Sequence, residues 1–145
     1  MNKVLYTVGI DGSEWSYRAV ERAIHLAEFT DARVKLVYVL QWPHITPISV
    51  GGVDPFVFNR EDEEKRINDK VIKPLIAKFS EKNIPLESEL IFGEPVHELS
   101  KQVKNEHANM LFLGRRGRSV FGDLVLGSVA NKLAHVVGIP VVLVP

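Results

Sequence analysis

Apolar residues recur along this chain in two rhythms that alternate from one end to the other. Val4 to Ile10 is a short apolar run rich in β-branched residues, which predicts a buried strand. Asp11-Gly12-Ser13 turns the chain, and Ser13 is placed to cap a helix from about Glu14 to Phe29. Ala19, Val20, Ala23, Ile24 and Ala27 recur at helical spacing and form its packing face. Val34 to Leu40 predicts a second strand, and Asn59 to roughly Glu81 a second helix. The first turn of that helix is acidic (Glu61, Asp62, Glu63, Glu64), as the helix dipole prefers, and Ile67, Val71, Leu75 and Phe79 mark its buried face. Pro74 lies inside the pattern, so a kink or break is expected there. Leu86 to Phe92 mixes charged with apolar residues, which suits an edge strand. Pro95 opens a third helix with Val96, Leu99 and Val103 inward. Met110 to Leu113 is a fourth, fully buried strand, and Ser128 to Val137 an amphipathic helix with Gly138 as its expected C′ residue. Ile139 to Val144 completes the pattern as a fifth strand, with Pro140 only at its start.

Strands alternating with helices throughout imply an α/β fold with a parallel sheet covered on both faces. The first and fourth strands carry the least charge, which places them at the centre with the strand order reversing between them. Ligands of such sheets bind beyond the carboxyl ends of the strands at that reversal. The segments there are Asp11-Gly12-Ser13 and Gly114 to Gly117. The stretch Trp42 to Phe58, with three prolines and two adjacent glycines, is long for a connection in a compact domain and is a functional-loop candidate.

The second of those segments carries most of the chemistry. Gly114 ends the fourth strand, Gly117 follows after two residues, and Gly127-Ser128 after nine more, at the start of the last helix. Glycines between a strand and a helix let backbone N–H groups close on a polyphosphate without Cβ atoms in the way. The unpaired N–H groups and positive dipole of the helix start favour the same anion. Arg115, Arg116 and Arg118 add charge that can neutralise it, although a solvated surface cluster has the same composition. A dinucleotide fingerprint would need tighter glycine spacing on the first strand unit. The stretch Gly122 to Ser128 copies a P-loop only superficially, since the lysine is missing. A turn whose glycines merely satisfy backbone geometry is the competing interpretation. Asp11 can likewise bind a nucleoside or phosphate-bound metal, or serve as a turn residue, and Ser128 can donate to phosphate or cap its helix.

Composition narrows the choices. A chain of 145 residues fits one domain, 1–145. Eighteen basic residues balance eighteen acidic ones, which argues against nucleic acid as a main partner, whereas locally clustered arginines suit a small anion. There is no cysteine, hence no disulfide framework or thiolate chemistry. No apolar run approaches membrane-spanning length, and Met1-Asn2-Lys3 runs straight into strand-like residues without the look of a signal peptide, so a cytoplasmic location is expected. The five histidines show no metal-ligand spacing, and no serine sits in a nucleophile elbow, so no catalytic residue is assigned.

At this point the sequence resembles the ATP-binding branch of the universal stress protein family. The features that carry the resemblance are Val8-Gly9-Ile10-Asp11-Gly12-Ser13, the Gly114/Gly117/Gly127-Ser128 spacing, Gly127-Ser128-Val129-Ala130 opening the last helix, and the closing Ile139-Pro140-Val141-Val142-Leu143-Val144. The resemblance spans the whole chain. It implies a five-stranded parallel sheet in the order 3-2-1-4-5 with helices on both faces, like that of the adenine nucleotide alpha hydrolases. It also implies that Asp11 sits at the nucleoside, that backbone of Gly9 and Val39 lies beside the adenine, and that Gly114, Gly117, Gly127 and Ser128, with Val129 beside them, take ribose and phosphates. The intervening residues Arg115, Arg116, Arg118, Ser119 and Val120 join this binding set, in a loop that is more basic than in many members and that bears the bulky Phe121. The implied ligand is ATP, ADP or AMP, with magnesium, and the implied assembly is a homodimer through the last strand, with a further protein partner left open. Three functions stay in view: an ATP-binding regulatory or stress-response dimer, a slow ATPase or phosphotransfer enzyme, and a nucleotide-free interaction module. The glycine-serine pattern disfavours the third. The second lacks an identifiable base or water-positioning residue.

Overall fold

The computed structural model describes residues 3–41, 59–117 and 126–145. The loop candidate Trp42 to Phe58 and the segment containing Arg118, Ser119 and Val120 lie outside them. Strands β1 (Leu5–Ile10), β2 (Arg33–Leu40), β3 (Leu86–Phe92), β4 (Met110–Gly114) and β5 (Val141–Val144) form one parallel sheet in the order β3-β2-β1-β4-β5. This is the order the family resemblance implies, and β3 is the edge strand that its mixed composition predicts. The register sets Gly9 of β1 between Val37 of β2 and Leu113 of β4.

From β1 the chain moves outward through α1 (Glu14–Thr30), β2 and a long helical segment to β3. It then crosses back through α4 (Pro95–Asn105), β4 and α5 (Ser128–Val136) to β5. Crossovers of one hand place helices on opposite faces when the direction of travel reverses. Alternation along β1 serves both faces. Tyr6, Val8 and Ile10 pack with Val20, Ile24, Ile67 and Leu75 of the helices on one side. Leu5 packs on the other side, with Val37, Leu99, Leu111 and Leu133 under α4 and α5. Each such side chain taken from water stabilises the fold by about 1.5–3 kcal/mol. Among the described residues no helix is long and apolar enough to cross a membrane.

The segment after β2 departs from simple helical periodicity. It runs as α2 (Arg60–Ile67), a π-helical turn (Asn68–Ile72) and α3 (Lys73–Lys78), capped at its start by Asn59, whose side chain accepts from the N–H groups of Glu61 and Asp62. Pro74 has no N–H and its ring would strike the carbonyl one α-turn earlier. The helix widens ahead of it, with the Lys73 N–H reaching back to the Asn68 carbonyl, so the expected break is a π-turn and not an interruption. The extra residue advances the register. Ile67 is therefore followed on the buried face by Ile72, and Val71 is only half-buried, contrary to the regular spacing. Gly138 also departs from expectation. Helix α5 ends at Val137 with extended backbone (φ −80°, ψ 135°), and Gly138 is not left-handed. Pro140 biases its predecessor toward extended conformations, which suits a direct entry into β5.

Two contacts hold the sheet to its helices at particular points. Lys35 of β2 is 8% exposed, and its ammonium donates to Glu89 of β3 at 2.6 Å, to Gln102 of α4 at 3.4 Å, and to Glu106 at the end of α4. Burial by itself would lower the Lys35 pKa; the hydrogen bonds to Glu106 and Glu89 outweigh it and hold the pKa above the ordinary lysine value. At the other end of the sheet the start of α1 lies against Gly114, where a Cβ would fall 2.7 Å from the Trp15 carbonyl carbon and 2.9 Å from the Ser16 nitrogen.

Two outcomes follow. Lys35→Met should lower stability by about 1–3 kcal/mol near neutral pH in urea unfolding, by removing charge-assisted hydrogen bonds. Because the folded pKa is raised, this advantage of the native chain is fully present below the ordinary lysine pKa and is lost as pH rises through the higher folded value. The difference between native and variant should therefore hold up to about pH 10 and shrink only above it; an unchanged difference above about pH 10 would exclude the network as its origin. Gly114→Ala should cost about 1–3 kcal/mol through the backbone clash with α1, and a thermal midpoint equal to that of the native chain would contradict that packing.

Candidate functional site

The turn after β1 is fixed by short-range hydrogen bonds. Gly12 adopts the left-handed region (φ 81°), which its lack of a side chain permits. The Asp11 carboxylate accepts from the Ser13 N–H at 2.9 Å, and the Ser13 hydroxyl caps α1 by accepting from the Ser16 N–H at 3.2 Å. The Ser16 hydroxyl donates to the Ser13 carbonyl at 3.0 Å and accepts from the Asp11 N–H at 3.3 Å. Asp11 is thus a turn residue and a side chain held at the strand end at the same time.

Across from it, the end of β4 is laced to the start of α5. The Arg115 N–H donates to the Val144 carbonyl of β5, and the Gly127 N–H donates to the Arg115 carbonyl, each at 2.7 Å. This closes the segment between Arg115 and Gly127 at its neck. Gly127, and not Ser128, is the N-cap of α5; its backbone is extended, and among the described residues no side chain caps the helix. Ser128 is the first helical residue, so the helix-capping alternative for its hydroxyl is set aside. The first N–H groups of α5 therefore keep their capacity to bind an acceptor.

Between these two structures lies a crevice of about 520 Å3 at the carboxyl ends of β1 and β4, within the usual size range of small-ligand sites. Its wall includes Gly9, Asp11, Val39, Gly114, Arg116, Gly117, Gly127, Ser128 and Val129. These nine come from the set named on sequence grounds. Arg115 is not brought to the wall; its backbone is engaged on both sides by the neck. Arg118, Ser119 and Val120 lie outside the described residues. The glycines differ in what they permit. A Cβ on Gly9 would press on Leu113 at 2.8 Å and on Leu99 at 3.2 Å, so this glycine makes room for packing beneath the crevice. Among the described residues, a Cβ on Gly117 would have one neighbour within 4 Å, the Asp11 carboxylate oxygen at 3.0 Å. Gly117 and Asp11 thus face each other across the opening.

Sequence reasoning missed Val37, Leu99, Pro95 and Gln41, which also line the crevice. Val37 was within reach, because strand alternation places it on the same face as Val39. Leu99 belongs to the inward stripe of α4, and nothing in periodicity separates a core leucine from one that also borders a cavity.

Asp11 is the one carboxylate and Arg116 the one cation lining the crevice among the described residues. Those residues contain no group of three His, Asp or Glu side chains able to hold a metal ion. A second cavity, of about 530 Å3, lies at the opposite end of the sheet beside Lys104, His107 and Val136. Helix C-termini surround it, whose dipoles disfavour anions, and it has no glycine cradle.

Comparison with known proteins agrees with this architecture. The sequence matches the Universal stress protein family over residues 4–145. It is 31% identical over 147 aligned positions to Universal stress protein YxiE of Bacillus subtilis (strain 168), an alignment covering 99% of this chain and 98% of that protein. Among solved structures, a universal stress protein in complex with cAMP superposes with a TM-score of 0.68 at 23% identity, covering 99% of this chain and 98% of that one. The universal stress protein from Archaeoglobus fulgidus in complex with dAMP superposes with a TM-score of 0.69 at 16% identity, with 99% and 98% covered. The structural likenesses carry the fold, and the sequence match carries the kinship: this chain belongs to the universal stress protein family.

Proposed function

We propose that the chain binds an adenine nucleotide, ATP foremost, in the crevice between β1 and β4, and that it acts as a nucleotide-dependent regulatory dimer. One observation carries this: a single crevice is bordered by Asp11, Arg116, glycine backbone and the start of α5, where among the described residues no side chain caps the helix, and such a setting suits a nucleotide. Related structures that hold cAMP and dAMP support the adenine preference. Asp11 meets the ribose, and the backbone of Gly9 and Val39 borders the base. Gly114, Gly117, Gly127, Ser128 and Val129 surround the ribose and phosphates. With Asp11 as the one carboxylate lining the crevice among the described residues, magnesium is held mainly by phosphates and water. Residues 1–145 act as one domain, in line with the family match over 4–145, and the location is cytoplasmic.

Gly117→Val tests the site, because among the described residues its added Cβ meets Asp11 and no core side chain. The variant should fold as the native chain does, by circular dichroism, and lose about a hundredfold in ATP affinity, equivalent to ~2.7 kcal/mol. Undiminished affinity in the folded variant would refute the site.

The dimer rests on β5. Val141, Val142 and Leu143 are half-buried on the terminal strand of the sheet, and Val136 at the end of α5 is 61% exposed. An apolar, unpaired edge strand invites pairing with another chain. Sedimentation at micromolar concentration should give a dimer; a soluble monomer would overturn this assembly.

A further inference from the structure

The π-turn of the long helical segment has a counterpart at the crevice. Regular helical spacing would bury Val71 in line with Ile67 and Leu75, and the extra residue gives that place to Ile72. Val71 is left at the edge of the packed face, half-buried and still in touch with the core. What it covers there is the turn after β1. A Cβ on Gly12 would stand 3.3 and 4.0 Å from the two γ-methyl carbons of Val71. Apart from the chain neighbours of Gly12, no other described residue comes within 4 Å of that point. Gly12 is the left-handed residue of the turn (φ 81°) and brings no side chain of its own to pack.

Resting on the nucleotide reading above, we propose that Val71 is a positioning residue for nucleotide recognition: delivered by the π-turn, it braces Gly12 and through it the Asp11 carboxylate. Hydrogen bonds fasten the turn on its α1 side. The Ser13 N–H donates to one Asp11 oxygen at 2.9 Å, and the Asp11 N–H donates to the Ser16 hydroxyl at 3.3 Å. The other carboxylate oxygen lies 3.0 Å from where a Cβ on Gly117 would stand. Gly12 thus sits between Asp11 and the N–H that orients its carboxylate. Glycine crosses its conformational map with less hindrance than any other residue. A rotation at Gly12 moves the Ser13 N–H and carries the carboxylate with it. The hydrogen bonds hold only the two neighbours of Gly12, whereas Val71 resists the rotation by contact with Gly12 itself. A β-branched side chain suits the task, because its χ1 is stiff and its methyls stay where the backbone puts them. Val71 does not line the crevice, so its influence on a ligand passes through the turn.

The test is calorimetric titration of the full chain with ATP and with 2′,3′-dideoxy-ATP, which lacks the hydroxyls that Asp11 meets. The native chain should bind ATP about tenfold more tightly than the dideoxy analogue, as expected for a hydrogen bond to a charged group. Val71→Ala should weaken ATP about fivefold and dideoxy-ATP less than about twofold, because only the hydroxyl contact depends on the aim of the carboxylate. Val71→Thr keeps the branch at Cβ and should restore ATP to within about twofold of the native affinity. Ile72→Val removes one buried methylene from the same π-turn; it should lower the thermal midpoint and leave both affinities as they are. A Val71→Ala variant that keeps the native ATP affinity, that loses dideoxy-ATP as strongly as ATP, or that is matched in both by Ile72→Val would overturn the assignment. A native chain that binds the two ligands equally would also overturn it, while nucleotide binding itself would stand. A native chain that binds neither would instead overturn the nucleotide reading on which the assignment rests.

Discussion

Parallel strands leave an opening at their carboxyl ends only where the chain reverses its direction of travel, and here that place is β1 beside β4. Within the sheet the two strands are in register and bonded, with Gly9 level with Leu113. Beyond it they diverge, because β1 feeds α1 on one face while β4 leads to α5 on the other. Everything at the site depends on that divergence. Asp11 and Gly12 leave on one side, Arg116 and Gly117 on the other, and neither pair could face an opening in a sheet wound in one direction.

A gap of this kind needs rigid walls, and the structure supplies them by different means on its two faces. On the α1 side the packing is close enough that Gly114 admits no side chain, so the end of β4 and the first turn of α1 move as one. On the α4 side the fastening is polar. Lys35 sits on the same face of β2 as Val37 and Val39 and ties β3 and the last turn of α4 to it. The opposite end of α4 is the one that borders the crevice, through Pro95 and Leu99. A buried ammonium between two carboxylates is weak evidence for net stability, since burial opposes the charge. Its directionality is what distinguishes it from apolar packing: it admits one register of α4 over the sheet.

The loop that crosses the site is anchored at its neck. Arg115 spends its backbone N–H on β5 and its carbonyl on Gly127, which holds the β4 end and the α5 start together regardless of what lies between. Arg116, next along the chain, borders the crevice, and among the described residues no side chain caps α5. A glycine N-cap ordinarily costs only about a few tenths of a kcal/mol relative to a capping side chain, and at this position it leaves N–H groups able to meet a ligand.

Several features were legible in the residues alone. The alternation of β-branched runs with 3.6-residue stripes established five strands and their helices, and the charges of Glu87 and Glu89 marked β3 as an edge. The glycine spacing after Met110–Leu113 located one side of the crevice, and Asp11-Gly12-Ser13 the other, because both rest on local rules of turn and strand-end chemistry. Tertiary structure decided what local rules do not contain. Pro74 constrains its helix but does not dictate whether the chain breaks or widens, and packing against the sheet selected the π-turn and with it Ile72 over Val71. The glycines look alike in sequence, yet Gly114 is closed off by α1 and Gly117 opens toward Asp11, a distinction set by neighbours more than 90 residues away along the chain. Arg115 and Arg116 are likewise identical as residue types. Tertiary structure separates them: the backbone of Arg115 is engaged by β5 and Gly127, and Arg116 borders the crevice, because the backbone path there is set by hydrogen bonds between distant segments.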